Sequence, residues 1–212
     1  MKNIKLIIFD LDGTLVDAYA AIGKSFNYLM RRLGLKPQSL EVIRHLVGRG
    51  DINLFKPYLP PGDLKPALIL YRAHHKYSLL KHSHLYPQAR FLLRRLKARG
   101  YKLAVASNRP SEFSHILLKH LKINSFFDYV LCADQSRHGK PHPEMLNRIV
   151  KRFGLKKSQA LYVGDMVIDA QAGRRARIDT IIVTGGSSSK SEIKKERPFK
   201  IISAIGRLLG LL

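Results

Sequence analysis

The chain is poor in acid, in cysteine and in long apolar runs, and each shortage narrows what it can be. Its 212 residues include 15 aspartates and glutamates against 38 lysines and arginines, a formal net charge of +23. There is no tryptophan and one cysteine, Cys132, so neither an intramolecular disulfide nor a thiolate metal cluster is available. Within "YVLCAD" that cysteine reads as a buried strand residue. No apolar run reaches the length of a membrane span, and "KLIIFDL" is broken by Asp10 too early for a secretory h-region. A cytoplasmic protein with no membrane partner is expected. Hydrophobic residues still make up 45% of the chain, enough for a real core.

The basic excess is spread along the chain, with short clusters such as "RRLKARG", "KRFGLKK" and "GRRAR" in segments that read as surface helices. A basic surface speeds encounters with anionic substrates and binds nucleic acid weakly. No nucleic-acid reader motif accompanies the charge, so nucleic acid is not expected as the specific partner. A monomer or a homodimer is compatible with the sequence.

An unbroken apolar run from Ile4 to Phe9 fits a strand buried on both faces of a parallel sheet. After it, Asp17 to Gly34, Ser39 to Val47, Asp51 to Tyr58 and Asp63 to Lys81 carry helical spacing without strand-like alternation. From "LYPQ" onward, helices and apolar strands alternate: "KLAVAS", "DYVLCA", "ALYVGD" and "TIIVT" are separated by helices over Gln88 to Arg99, Ser111 to Leu121, Pro143 to Phe153 and Ile168 to Ala176. The expected fold is α/β, a doubly wound parallel sheet with an inserted helical domain. Its core would span residues 1–16 and 86–212 and the insertion 17–85. "GGSSSKSEIKKE" reads as a polar loop and "FKIISAIGRLLGLL" as a closing amphipathic helix.

In open α/β sheets ligands sit beyond the carboxyl ends of the strands. Asp10 and Asp12 follow the first strand, Ser107, Asn108 and Arg109 the second, and Asp165 and Asp169 the fourth, while Lys140 lies in the "GKPHPE" loop. In a chain with so few acids, four at strand ends are hard to attribute to surface solubility. Two carboxylates two residues apart on an extended chain share a face and repel, which calls for a cation or for a split of protonation states. Four carboxylates with a Ser/Asn pair and a lysine suit oxygen-ligated Mg2+ beside a phosphate. Ser107 and Lys140 would donate to phosphoryl oxygens, Asp10 would attack phosphorus, and Asp12 would protonate the leaving alcohol and then deprotonate water.

These residues resemble the haloacid dehalogenase superfamily. "DLDGT" matches its DxDGT signature, "SN" its second motif, the lysine of "KPHP" its third and "GDMVID" its GDxxxD fourth, in the family's order. The resemblance implies a HAD core with a helical cap, with Asp10 as nucleophile and Asp12 as acid/base. It also implies Mg2+ held by Asp10, the backbone carbonyl of Asp12 and Asp165, with Asp169 ligating directly or through water. "VGRG" in the cap and "LYPQARFLLRRLKARGYKLAVASN" look most like phosphoglycolate phosphatases, which makes 2-phosphoglycolate the first candidate substrate. Arg109 stands where those phosphatases usually have lysine, Gln88 where "YPG" is usual, and Met166 where a small or polar residue commonly follows "GD".

The resemblance leaves other activities open: nucleotidase, pyrophosphatase, sugar-phosphate phosphatase, phosphomutase, or a non-catalytic basic protein binding nucleic acid or an acidic partner. In the insertion, Arg49 between two glycines is a candidate substrate contact, since glycines let backbone approach a ligand and a guanidinium pairs bidentately with carboxylate or phosphate. The histidines of "AHHKYSLLKHSH" (His74, His75, His82 and His84) have no supporting carboxylate and read as solvated helix positions.

Overall fold

The computed structural model describes residues 3–212. The first apolar run forms β1 (Leu6–Phe9), with every residue buried. It lies between β4 (Lys102–Ser107) and β6 (Ala160–Gly164), parallel to both, with Leu6 opposite Lys102 on one side and Ala160 on the other. Continuing outward, β5 (Tyr129–Cys132) joins β4, and β7 (Asp179–Val183) and then β8 (Lys200–Ile202) join β6. The sheet order is β5-β4-β1-β6-β7-β8. The winding therefore reverses between β1 and β6, and the crevice at that reversal is where such sheets hold ligands.

Alternate residues of each strand serve opposite layers. Ile7, Phe9, Leu103, Val105, Leu161 and Val163 face one core, which includes Leu92, Leu93 and Leu96 of α5 (Ala89–Ala98) and Leu117 and Leu118 of α6 (Ser111–His120). Leu6, Ile8, Ala104, Ala106 and Tyr162 face the other, packed by Met145, Leu146 and Ile149 of α7 (Glu144–Arg152) and Ala172 and Ala176 of α8 (Val167–Ala176).

Between β1 and α5 run α1 (Tyr19–Arg32), α2 (Leu40–Leu46), α3 (Asp51–Phe55) and α4 (Pro61–His82). Phe26 of α1 stacks on Phe55 of α3 at 5.1 Å, and Tyr71 of α4 meets Phe55 edge-on at 5.0 Å. An antiparallel ribbon absent from the helical reading brackets this segment, with Val16 of β2 (Val16–Asp17) opposite Leu85 of β3 (His84–Leu85). No helix among the described residues is long and apolar enough to cross a membrane.

Two C-terminal expectations need correction. The closing stretch is not an amphipathic helix: "KII" adds to the open edge of β7 as β8, with Lys200 opposite Ile181, and only Ile205–Gly210 turns, as a 3-10 helix. The open edge of β7 and the β-branched pair Ile201–Ile202 override a helical periodicity that local spacing alone suggested. The polar loop likewise contains a short helix, α9 (Lys190–Lys195), because Ser189 and Glu192 form a reciprocal capping box.

Candidate active site

The sequence after β1 turns sharply. Asp10 continues the ladder, its N–H donating to the Val163 carbonyl at 2.9 Å, and Gly13 then takes a φ of +82°. A Cβ at Gly13 would overlap the Asp165 carboxylate, so only glycine lets this turn press against the end of β6. Thr14 donates to Asp165 Oδ1 at 3.0 Å and the Ser187 N–H to Asp165 Oδ2 at 3.0 Å. Oxygens of Asp10, Asp165 and Asp169 lie within 4.8 Å of one another, straddling the reversal between β1 and β6.

Lys140 is the hub of this cluster. Its Nζ lies 2.8 Å from Asp10 Oδ1 and 2.8 Å from Asp169 Oδ1, and donates to the Tyr162 hydroxyl at 3.0 Å. The Tyr162 hydroxyl in turn donates to Asp169 Oδ1 at 2.6 Å. The other Asp169 oxygen accepts from the backbone N–H groups of Asp165 and Met166, at 3.1 and 2.9 Å. Asp169 thus sits in the acidic cluster with both oxygens engaged, holding Lys140 and the turn that carries Asp165.

Burial pushes Asp10 up to about 7, with Lys140 pulling down and Asp169 and Asp12 adding to the rise. Burial, then Asp169 and Asp10, hold Asp165 well above the usual carboxylate range. Burial works against a charged Lys140, but Asp10 and Asp169 outweigh it and keep its affinity for the proton above that of an ordinary lysine. Three buried carboxylates lie close to one buried ammonium, which pairs with two of them, Asp10 and Asp169. Hard oxygen donors with negative charge in excess are the chemistry a small divalent cation satisfies, so the residues present fit such an ion.

Around the mouth, Ser107 is buried and its Oγ accepts from the Arg109 N–H at 3.2 Å. Asn108 ties three segments together. Its Nδ2 donates to the carbonyls of Lys140 and of Gly48, each at 2.9 Å, and its Oδ1 accepts from the Lys140 N–H at 2.8 Å. Asp12 is gripped from the β4 side: Arg109 Nε and Nη2 donate to its two oxygens at 2.9 and 2.7 Å. The third guanidinium nitrogen, Nη1, donates to His75 Nε2 at 2.9 Å.

A small cavity of about 50 Å³ opens beside these groups. Asp10, Asp12, Ser107, Asn108 and Arg109 line its core side, and Val47, Gly48, Gly50, Tyr71 and His75 are among its lining from α1–α4 and their loops. Arg49, expected to contact substrate, is exposed and is not among the lining residues. Flanked by Gly48 (φ +98°) and Gly50 (φ +87°), the loop presents glycine backbone to the cavity and leaves the arginine outside. Met166 is buried beneath this loop, so close that a Cβ at Gly48 would overlap its sulfur. Gln88 takes a left-handed φ of 66°, a conformation glycine adopts without strain, which accounts for the usual "YPG" at that place.

The sequence model of the haloacid dehalogenase-like hydrolases matches residues 7–183, most of the chain and all four strand ends of the cluster. The chain belongs to this family. The hydrolase is 30% identical over 220 residues to the phosphoglycolate phosphatase of Nitrosococcus oceani, covering 100% of this chain and 98% of the relative. It is 33% identical to that of Aliivibrio fischeri, covering 100% and 97%. The crystal structure of a predicted phosphoglycolate phosphatase from Haemophilus somnus superposes with a TM-score of 0.94 at 28% identity, over 100% of this chain and 99% of that one.

Several groups of this hydrolase's site escaped the reading of its sequence. Tyr162 carried a usable signal, since it stands two residues before the "GD" and so shares the opposite face of β6 from Val163. His75, expected at a solvated helix position, is buried at the cavity instead, and Tyr71 carried no signal, because the place of both follows from how α4 packs.

Proposed function

We propose that this hydrolase is a Mg2+-dependent phosphatase acting on a small phosphomonoester, with 2-phosphoglycolate as first candidate, through an aspartyl-phosphate on Asp10. The observation that carries the reading is the convergence of Asp10, Asp165, Asp169 and Lys140 at the sheet reversal, beside a cavity that Ser107 lines. The names of the full-length relatives and the small cavity favour a small substrate.

In this reading Asp10, Asp165 and the Asp12 carbonyl hold Mg2+, with Asp169 behind them. The ion supplies positive charge that offsets repulsion between these acids and the phosphate. An Asp10 carboxylate oxygen forms a bond to phosphorus as the phosphorus–alkoxide bond breaks, and Asp12 delivers a proton to the departing alkoxide. Asp12 then takes a proton from the water that attacks the aspartyl-phosphate, releasing inorganic phosphate and restoring Asp10. Lys140 holds Asp10 in place, and Ser107 donates to a phosphoryl oxygen. Residues 17–85 act as the cap, which excludes other water. Asn108 secures the closed arrangement by donating to Gly48 of that cap.

A panel of 2-phosphoglycolate, nucleotides, pyrophosphate and sugar phosphates assayed with Mg2+ tests the reading. Highest kcat/KM for 2-phosphoglycolate, lost to background in Asp10→Asn, is expected. Turnover unchanged in Asp10→Asn, or none on any phosphomonoester, refutes it.

A further inference from the structure

We propose that the Arg109 guanidinium receives an acid group at the far end of the substrate, and that His75, reaching from α4, is the positioning residue that completes this receptor. The inference rests on the phosphatase reading above and carries it from reaction to choice of substrate.

A guanidinium has five N–H donors and no acceptor. Nε and Nη2 spend one each on Asp12, and Nη1 spends one on His75. One N–H remains on each terminal nitrogen. Arg109 is also the one lysine or arginine among the residues lining the cavity, where the other charged groups are Asp10, Asp12 and Asp51. Asp10 is paired with Lys140 and Asp51 with Arg72 at 2.7 Å. An anionic group entering this cavity meets one cationic side chain, whose two remaining N–H groups are free to donate to a carboxylate. A substrate with a neutral far end leaves those two buried donors without an acceptor, and such omissions are penalised more than a lost apolar contact.

His75 fixes where the fork points. Since Arg109 only donates, His75 Nε2 must be the accepting nitrogen, which puts the ring proton on Nδ1, 3.2 Å from Ser25 Oγ. The Ser25 hydroxyl passes its own hydrogen to the Ala21 carbonyl at 3.0 Å. The ring is further held by stacking on Tyr71 at 4.9 Å and by an edge contact with Phe113 at 5.2 Å. Burial and the neighbouring Arg109 keep the imidazole neutral, which preserves Nε2 as an acceptor. Arg109 belongs to the loop after β4, whereas His75 and Ser25 belong to α4 and α1. The receptor is therefore whole only while those helices sit over the core, and the acid group is read in that closed arrangement.

The test compares 2-phosphoglycolate with 2-hydroxyethyl phosphate, which keeps the phosphate and replaces the carboxylate by a neutral alcohol. In Arg109→Gln the ratio of their kcat/KM values is expected to fall by about tenfold to a hundredfold, and in Arg109→Lys, which keeps the charge but loses the fork, by about tenfold. His75→Phe keeps the aromatic packing and removes the acceptor. It is expected to lower the ratio about three- to tenfold, chiefly through KM for 2-phosphoglycolate, with His75→Gln restoring most of the loss because an amide accepts and donates. If the Arg109 variants slow both substrates alike, Arg109 serves Asp12 alone and the proposal falls. A ratio untouched by His75→Phe removes the positioning role. A wild-type enzyme that turns over no ester of the wider panel sinks the phosphatase reading itself, whereas turnover of other phosphomonoesters but neither of these two, or a flat ratio between them, sinks only this inference.

Discussion

Tyr162→Phe isolates one oxygen at the centre of the buried cluster. The hydroxyl is fully buried, donates to Asp169 Oδ1 at 2.6 Å and accepts from Lys140 Nζ at 3.0 Å. The ring packs with Leu6, Ile8 and Ala104 in the core beneath, and phenylalanine keeps that packing, so there is no cavity contribution to confuse the result. Hydrogen bonds to charged groups contribute about 1.5–3 kcal/mol each, and the substitution leaves one Lys140 N–H without its partner in a site closed to bulk water. Asp169 Oδ1 retains Lys140 and is not orphaned, so the two losses do not simply add. A destabilisation of about 2–3 kcal/mol is expected, which for a chain of this length lowers Tm by about 4–12 °C. Urea unfolding should show a lower midpoint with an unchanged m-value, since the surface exposed is the same. Activity should fall mainly in kcat, because Lys140, held by two acceptors rather than three, no longer fixes Asp10 as closely. A loss below about 0.5 kcal/mol at constant m would show that the hydroxyl contributes no more than a surface group, and the three-acceptor account of Lys140 would be wrong.

Three further outcomes follow from the structure. Because burial lifts Asp10 from its ordinary 3.8 to about 7, the folded chain holds more protons than the unfolded chain between those values, so stability without metal should fall as pH rises through that window. Mg2+ competes with those protons, and the Tm increase it produces should be larger at pH 8 than at pH 5 in a thermal shift assay; equal increases would contradict the acidic cluster as its site. Gly48→Ala places a methyl on the Met166 sulfur at a φ of +98°, and should lower kcat/KM about tenfold by holding the glycine loop off the core, with Met166→Ala in the same chain recovering part of it; no kinetic effect of Gly48→Ala would show that the loop does not need this contact.

Much of the fold follows from short-range pattern. The run Leu6–Phe9 is apolar on both parities and becomes a strand buried on both faces, and its flanking acids fall at the carboxyl end because a strand stops where the apolar run stops. The same logic places Ser107 to Arg109 and Asp165 at strand ends, and parallel order then brings Asp10 and Asp165 together across the sheet reversal. The four-residue spacing from Asp165 to Asp169 spans one turn at the start of α8, which lets the second carboxylate reach back and accept from the backbone N–H groups of Asp165 and Met166 just before the helix.

Elsewhere the outcome depended on neighbours that no window of sequence contains. The "KII" strand exists because β7 has an open edge to receive it, and Arg49 is exposed between two glycines of positive φ. His75 looks like any histidine on a long basic helix. It becomes a buried acceptor only when α4 packs on α1 and lies over the loop after β4, bringing Ser25 and Arg109 to its two nitrogens. Local sequence settles which residues form a strand, where it ends and what charge waits there, since those are matters of burial and period along one segment. The partners of a side chain are decided by packing between segments far apart in the chain, and for Lys140, Asp12 and His75 only the folded molecule specifies them.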